Sequence, residues 1–356
     1  MTNRETMSYK SVDFWKGFDD NTFSGNPLDR KDVALLESMR KDEKARFLPF
    51  HELKVLVNTS SSNRTLGWLS WAELESLVGK EISLEGQGEG LSYKENSLVL
   101  LGKLNQVPHY AINVTHILDK DSLGEKSYKL EDVSTERERR QNDSEKARAL
   151  ASALPLQDTG MIAQARALLD WHVCHPHCAR CGGMTKLTEG GNKRVCVECK
   201  RPHYPRTDSV VIVLVIAEKK KEGTDEKEEV CLLATRAQGY KGMYTCLSGF
   251  IEIGESLEEA IKREIWYHSS QPWPFPSQLM IGCLAKTNYA EPTVDAKELG
   301  EARWMNREQV RELLSRSLLP LDAGSTVDRV PPPLAIAHQL IKFWAVNDTN
   351  TPQSQL

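Results

Sequence analysis

The sequence predicts an α+β protein with more than one domain, and three observations support this fold class. Residues 210–217 form a nearly continuous run of β-branched residues, which is typical of a buried strand. Residues 307–315 and 332–346 have the apolar spacing of helices. Two Cys-x2-Cys pairs lie between residues 178 and 199, and this spacing is typical of small metal-bound modules. A chain of 356 residues is long enough for two domains.

The composition indicates a soluble protein with reduced cysteines. The net charge of −4 gives no general attraction to nucleic acids or membrane surfaces. No apolar run approaches the roughly 18 residues that a membrane-spanning helix needs, and the first residues lack the apolar stretch of a secretion signal. Eight cysteines without such a signal favour free thiols and metal binding over disulfides.

The N-terminal part, residues 1–150, is predicted to be a mixed α/β domain without a chemical motif. Its short apolar runs are predicted strands and comprise residues 46–50, 97–102 and 109–114. After Pro155, apolar residues recur at helical spacing as far as Trp171. We therefore expect a helix that leads into the cysteine pairs.

The C-terminal part is predicted to alternate strands and helices. Residues 218–229 are rich in lysine and glutamate and are predicted to form a solvated hairpin loop. Ser256 can cap a helix that starts just after it, because an apolar stripe follows at helical spacing. The stripe comprises Leu257, Ala260, Ile261 and Ile265. Further strands are expected at residues 230–236, 244–250, 279–289 and 302–305.

Four cysteines form a strong metal-ligand pattern. The two pairs are separated by 14 residues and comprise Cys178, Cys181, Cys196 and Cys199. Paired thiolates on tight turns supply four tetrahedral ligands to a structural Zn²⁺, and a closed shell of four leaves no position for catalysis. Three neighbours crowd the first pair as alternative ligands: Cys174, His175 and His177. The other cysteines lie in apolar runs, where core packing is expected: Cys231, Cys246 and Cys283.

A zinc ribbon often binds nucleic acid, but the residues around this one give modest support for that role. The basic residues near the two Cys-x2-Cys pairs, which we call the knuckles, are Lys186, Lys193, Arg194, Lys200, Arg201 and Arg206. Few aromatic residues lie among them in the sequence, so the pattern does not by itself assign nucleic-acid binding.

Residues 249–265 begin a motif for pyrophosphate hydrolysis and do not complete it. The pattern is Gly249, five residues, Glu255, seven residues, and then Arg263-Glu264-Ile265. Cleaving a pyrophosphate needs divalent cations that neutralise the phosphates and activate water, and Mg²⁺ or Mn²⁺ takes oxygen ligands. Glu264 lies beside the apolar stripe, where a carboxylate is costly without a cation. An ordinary amphipathic helix with acids at its edge is the alternative.

These residues closely resemble the Nudix box, Gly-x5-Glu-x7-Arg-Glu-apolar-x-Glu-Glu-x-Gly, with Tyr267, His268 and Ser270 in place of its last two glutamates and its glycine. Residues 270–276, Ser-Gln-Pro-Trp-Pro-Phe-Pro, and residues 203–208, His-Tyr-Pro-Arg-x-Asp, are similar to segments of the NADH pyrophosphatase branch of the Nudix family. In that branch the first signature follows the box at a distance, whereas here three residues separate it from Trp266. We infer a deletion, with a diverged pseudoenzyme as the alternative.

The resemblance implies a domain organisation. It predicts a Nudix α/β/α sandwich at residues 206–347, preceded by a helix and four-cysteine zinc ribbon at residues 151–205. Residues 1–150 are similar to the degenerate N-terminal domain of the family, and residues 348–356 are expected to be a free tail.

The resemblance also implies roles for single residues. Glu264 and Glu298 match metal-binding acids, and Ser248 matches the position whose main-chain carbonyl joins the Mg²⁺ or Mn²⁺ shell. Glu255 and Arg263 complete the implied catalytic set. Tyr204 matches a tyrosine that stacks on the nicotinamide bound to the partner subunit of a dimer, with interdomain packing as the alternative. The other implied substrate contacts are Phe250, Gln271, Pro272, Trp273, Pro274, Phe275, Pro276, Ser277, Gln278 and Ala337.

The sequence is thus interpreted as a homodimeric hydrolase that cleaves NADH or NAD⁺ into nicotinamide mononucleotide and AMP. Removal of NAD caps from RNA is a related activity of the family. A non-catalytic dinucleotide-binding protein is the alternative, which the missing Glu-Glu pair favours. The C-terminal Ser354-Gln355-Leu356 resembles the peroxisomal address Ser-Lys-Leu, with Gln355 where the address has a basic residue, and the cytosol is the alternative location.

Overall fold

The computed structural model describes residues 29–59, 65–78, 98–115, 117–118, 128–131, 156–221, 223–238, 242–261, 265–273, 277–317 and 327–347. These residues form two compact units, each built on its own six-stranded sheet. The first unit contains the described residues as far as Thr207, together with Trp273 and Ser277. The second contains the described residues of Asp208–Pro272 and those from Gln278 onward. The predicted boundary at residue 150 lies outside the described residues.

The first unit is built on a mixed sheet. Its strands are β1 (Arg46–His51), β2 (Lys54–Asn58), β3 (Thr65–Leu66), β4 (Leu98–Leu104), β5 (Val107–Asn113) and β6 (Tyr128–Glu131). They lie in the order β3-β2-β1-β5-β4, and β6 also pairs with β2. β1 and β5 are parallel, with Arg46 opposite His109. The three strands predicted in this region are confirmed as β1, β4 and β5.

Helices cover both faces of this sheet because side chains alternate along each strand. Phe47 and Leu100 face a core shared with α1 (Val33–Arg40) and α2 (Trp71–Val78). Leu48 and Val99, their neighbours in the chain, face the opposite core, which is shared with α3 (Leu156–Cys174). Helix α3 is the helix predicted to follow Pro155.

The cysteine-bearing segment continues the first unit as a small sheet. Its strands are β7 (Thr185–Thr188), β8 (Lys193–Cys196) and β9 (Pro202–His203), in the order β7-β8-β9. The turn between β7 and β8 approaches β4 at Gly191, which has a φ of 85°. A Cβ there would lie 2.9 Å from the Leu98 carbonyl oxygen, so only glycine allows this close approach.

A buried polar network ties this small sheet to the end of α3. Arg194 donates from Nε to Thr185 Oγ1 at 2.7 Å, and its NH1 lies 3.0 Å from His172 Nδ1. His172 Nε2 lies 2.7 Å from the Gly191 carbonyl oxygen. Burial, and then the charge of Arg194, lowers the pKa of His172 to about 3. A neutral imidazole fits this position because Nε2–H can donate to Gly191 while Nδ1 accepts from Arg194.

The second unit has the predicted α/β/α arrangement. Its strands are β10 (Asp208–Lys220), β11 (Lys227–Arg236), β12 (Leu247–Phe250), β13 (Ile265–Trp273), β14 (Gln278–Asn288) and β15 (Leu299–Asn306). They lie in the order β13-β14-β10-β11-β15, with β12 also on β10. The helices are α4 (Leu257–Ile261), α5 (Arg307–Ser315) and α6 (Ile336–Val346).

Residues that alternate along β10 face two different cores. Ile212 and Leu214 face a core that they share with residues of α5 and α6. The largest fully buried side chain in this core is Trp344. Val211 and Val213 face the other core, against which residues of α4 pack. Cys231, Cys246 and Cys283 are buried within these cores, which confirms their predicted packing role.

The prediction of a loop over residues 218–229 is wrong. β10 continues to Lys220 and β11 begins at Lys227, with Glu218 opposite Glu229. The charged side chains alternate along the two strands and pair across them, as Lys227 does with Glu218 at 3.3 Å. Exposed hairpin strands can carry lysine and glutamate, so composition alone placed the loop too widely.

Candidate functional site

The loop that opens the pyrophosphate motif is fixed by its own glutamate. β12 pairs with β10 so that Ser248 lies opposite Ile212 and Phe250 opposite Val210. Ser248 is exposed and Phe250 is 49% exposed. The Glu255 carboxylate accepts a hydrogen bond from the Glu252 N–H at 3.0 Å. Glu255 therefore stabilises the turn between β12 and α4.

Ser256 caps α4, as predicted. Its Oγ accepts a hydrogen bond from the Glu259 N–H at 3.2 Å, and the Glu259 carboxylate accepts one from the Ser256 N–H at 2.8 Å. This reciprocal pair is a capping box. Hydrogen bonding with Ser256, first through its backbone N–H, lowers the pKa of Glu259, which favours the ionised carboxylate at the positive end of the helix.

The start of β13 limits how far α4 can extend, and this decides what the motif can hold. The described part of α4 has five residues, and the chain is already in the sheet from Ile265 onward. The predicted helical stripe is therefore wrong at Ile265, because the sheet takes up the chain from that residue and β13 pairs with β14. Arg263 and Glu264 lie outside the described residues.

The positions where the Nudix box has its last two glutamates, Tyr267 and His268, belong to β13. Tyr267 is 60% exposed. His268 Nδ1 lies 2.8 Å from Ser269 Oγ, and its ring meets Phe343 edge-on with centroids 4.7 Å apart. Burial lowers the pKa of His268, which favours the neutral ring. This position therefore holds an aromatic contact in place of the carboxylate that the Nudix box has there.

Gln271, the predicted substrate contact that opens the signature loop, is buried and has both ends of its amide engaged. Nε2 donates to the Leu334 carbonyl oxygen at 2.9 Å, and Oε1 accepts from the Ile336 N–H at 2.9 Å. The first N–H groups of a helix have no partner within it, so Gln271 satisfies one for α6. Ala337, one residue further into α6, is also buried.

Replacement of Gln271 by leucine is expected to lower the free energy of unfolding of the second unit by roughly 2–4 kcal/mol. The change leaves a buried N–H and a partly buried carbonyl without partners. Thermal or urea unfolding of the full chain measures it. Gln339→Leu is the matched control, since Gln339 caps the Pro333 carbonyl nearer the surface and its loss should cost under about 1 kcal/mol. Equal losses for the two variants would contradict the assignment.

The remaining predicted contacts lie in varied surroundings. Pro272, Trp273, Ser277 and Gln278 are half-buried, whereas Pro274, Phe275 and Pro276 lie outside the described residues. Glu298 is exposed in the turn before β15, where its carbonyl oxygen accepts from the Ala237 N–H at 3.1 Å. Ser248, Phe250, Glu255 and Glu298 thus belong to the second unit and Tyr204 to the first.

The four cysteines of the two knuckles come together. Cys178 Sγ lies 3.6 Å from Cys199 Sγ, and Cys181 Sγ lies 3.5 Å from Cys196 Sγ. All four sulfur atoms lie within 4.8 Å of one another. In the part of the chain that the structure describes, this is the one group of three or more Cys, His, Asp or Glu side chains arranged to hold a metal ion.

The knuckle backbone donates to two of the four sulfur atoms of this cluster. The Arg180 N–H points at Cys178 Sγ and the Cys199 N–H at Cys196 Sγ, both at 3.4 Å. Burial opposes ionisation, but the backbone donors outweigh it and lower the pKa of Cys178 to about 6. Two of the alternative ligands are engaged at the end of α3: Cys174 Sγ lies 3.8 Å from Asp170 Oδ1, and His175 Nδ1 lies 2.8 Å from the Trp171 carbonyl oxygen.

Comparisons with known proteins identify the family. A family model described as an NADH pyrophosphatase-like rudimentary NUDIX domain matches residues 44–171. The NAD-capped RNA hydrolase NUDT12 of Macaca fascicularis is 33% identical over 360 residues, which cover 91% of this chain and 73% of that protein. The human mitochondrial NAD(P)H pyrophosphatase NUDT13 is 35% identical over 319 residues, which cover 85% of each. This chain belongs to the NADH pyrophosphatase family of Nudix hydrolases.

Nudix hydrolase 19 of Arabidopsis thaliana, described as chloroplastic, is also similar, with 31% identity over 366 residues that cover 86% of this chain and 78% of that protein. Membership of the NADH pyrophosphatase family confirms the resemblance, the fold class and the hydrolase class predicted from the sequence. The match to the rudimentary NUDIX domain covers the sheet β1–β6 and α2, and it ends within α3. None of the helices in the described ranges is long and apolar enough to span a membrane.

Proposed function

We propose that this chain is an NAD(H) diphosphatase whose turnover is impaired by the shortened α4. In the reaction, one water molecule adds to a phosphorus atom of the dinucleotide and the bridging P–O bond breaks. The products are nicotinamide mononucleotide, in its reduced form when NADH is the substrate, and AMP. NAD-capped RNA contains the same pyrophosphate and is a second candidate substrate, since a similar protein is named for its hydrolysis.

The proposed catalytic metal is Mg²⁺ or Mn²⁺, which neutralises phosphate charge and activates water when bound. Glu264, Glu298 and the carbonyl oxygen of Ser248 are the proposed ligands, with Glu255 and Arg263 completing the site. Carboxylate and carbonyl oxygens of this kind suit a hard cation. The observation that carries the proposed impairment is the start of β13 at Ile265, since it leaves no helix to bring a second acid beside Glu264.

The alternative is a dinucleotide-binding protein without turnover, and the same five-residue α4 favours it. Two aromatic faces support binding of a planar ring in either case: Tyr204 is 63% exposed and Phe250 is 49% exposed. In the proposed homodimer, Tyr204 contributes to the partner's nicotinamide site. Incubation with NADH and Mn²⁺, followed by chromatography of the products, separates slow hydrolysis from binding alone.

We propose Zn²⁺ as the ion of the four-cysteine cluster. Tetrahedral Zn–S bonds of about 2.3 Å place sulfur atoms about 3.8 Å apart, close to the separations of the two cysteine pairs. The role is structural, because four protein ligands leave no position for substrate or water.

We propose a peroxisomal location from the C-terminal Ser354-Gln355-Leu356, which lies outside the described residues. The expected result is that a fluorescent protein carrying only the last dozen residues collects in peroxisomes, because the address is read at a free C-terminus. Fluorescence microscopy beside a Ser-Lys-Leu control measures it. Diffuse fluorescence in cells that import the control would contradict the proposal and favour the cytosol.

A further inference from the structure

A cleft of about 590 Å³ lies within the first unit, where the end of α3 meets the cysteine knuckles. Its lining includes the aromatic side chains Trp171, His175 and Tyr204 and the cationic side chains Arg180, Arg201 and Arg206. None of the roles assigned above to the four cysteines or to the pyrophosphate motif uses its arginines.

The segment that forms the cleft is positively charged, whereas the chain as a whole is negatively charged. From residue 171 to residue 206 there are seven lysines and arginines and two acids, Glu189 and Glu198, whereas the whole chain has a net charge of −4. Lys193 pairs with Glu189 at 2.8 Å, and Arg194 is buried in the network with His172. Lys193 and Arg194 are therefore engaged within the fold, and the cations that line the cleft are arginines.

Arg180 and Arg201 are the best placed of these cations. Both are exposed and both line the cleft. Neither forms an ion pair within the described part of the chain. Arg180 lies between Cys178 and Cys181, and Arg201 follows Cys199 by two residues, so a metal-bound knuckle would hold the backbone of each. Two guanidinium groups on a fixed backbone suit phosphate oxygens.

One exposed aromatic side chain of the cleft, His175, adds a ring on which a base can stack. The buried Trp171 supports it, with ring centroids 5.6 Å apart at an interplanar angle of 32°. Cationic side chains beside exposed rings are the combination that single-stranded nucleic acids require, because every base has a π face and every linkage an anionic phosphate.

We propose that this cleft binds single-stranded RNA, with Arg180 and Arg201 on the phosphodiester backbone and the exposed ring of His175 as the stacking surface. The inference deepens the proposed function, on which it rests, by naming the RNA that follows a 5′ NAD cap as the part of the substrate held here. A free dinucleotide shares the same chemistry of phosphate and ring, so the experiment must separate these two sources.

The test is binding of a fluorescent, uncapped single-stranded RNA of about 12 nucleotides to the full chain, followed by anisotropy at several salt concentrations. In Arg180→Gln/Arg201→Gln, the affinity should fall at least about tenfold, and the slope of log K against log salt should decrease by about 0.7 for each lost phosphate contact. Lys220→Gln/Lys227→Gln is the matched control, since it removes two exposed charges from the hairpin of the second unit.

The same proteins are titrated with NADH, whose own fluorescence reports binding, and their metal content is measured. Unchanged NADH affinity and metal content, with weakened RNA binding in the cleft variant alone, would support the proposal. Loss of NADH affinity without loss of RNA affinity would overturn it in favour of a dinucleotide pocket. Equal RNA binding by the cleft variant and the control, or no RNA binding by the parent chain, would also overturn it. Failure to hydrolyse NADH changes none of these binding measurements.

Discussion

Restoration of the Nudix box is expected to raise the rate of NADH hydrolysis by at least roughly 100-fold. The variant carries, between Trp266 and Tyr267, the segment of a relative that completes the box with two glutamates and a glycine. Loss of a metal-held contact in the transition state costs about 3 kcal/mol or more, and each 1.4 kcal/mol is about tenfold in rate. The five-residue α4 and the strand at Ile265 are the structural reason for the loss.

The matched control is the same insertion with both restored glutamates replaced by glutamine. It returns the length of the helix without its charges, so it separates the geometry of the loop from the chemistry of the metal. We expect the control to hydrolyse NADH as slowly as the chain without the insertion does. Similar rates for all three proteins would show that Glu264 and Glu298 suffice, and the inferred deletion would then carry no catalytic consequence.

Replacement of Cys178 by serine is expected to release the metal of the four-cysteine cluster and to destabilise the first unit. The parent chain should contain close to one zinc ion per subunit, and the variant well under half of that. Apparent binding free energies of structural zinc sites reach about 10 kcal/mol or more, and binding contributes to folding. Elemental analysis and thermal unfolding measure the two effects. The backbone amides of the small sheet β7–β9 should lose their protection against hydrogen exchange first, because the knuckles flank this sheet.

Cys174→Ser is the control for that variant. Cys174 is exposed at the end of α3 beside Asp170 and lies outside the four-cysteine cluster. We expect it to keep the metal and the unfolding temperature of the parent. Full zinc content in a variant lacking both Cys196 and Cys199 would contradict the four-cysteine assignment.

Features that depend on short-range chemistry could be predicted from the sequence. The capping of α4 by Ser256 requires only residues within one turn, and the observed bonds with Glu259 follow from that local pattern. The convergence of the four cysteines follows from their spacing on two tight turns. The alternating cores on either side of β1 and β10 follow from the period of a strand.

Features that depend on distant pairing could not be predicted. Ile265 fits a helical stripe, yet the partner strand β14 takes it into the sheet, because tertiary pairing overrides local periodicity. Gln271 reaches backbone groups more than sixty residues away, which no spacing reveals. The aromatic lining of the cleft was missed for the same reason, since α3 brings Trp171 and His175 beside arginines of the knuckles. Only the folded chain brings these cations and rings together.

The proposed impairment requires that the chain lack a metal position which a complete Nudix box would supply. The most direct test counts tightly bound Mn²⁺ by electron paramagnetic resonance in the presence of NADH, in the chain as written and in the restored chain. We expect the restored chain to hold at least one tight Mn²⁺ that the chain as written does not, and the glutamine control to match the chain as written. Equal Mn²⁺ occupancy in the two chains would contradict the claim.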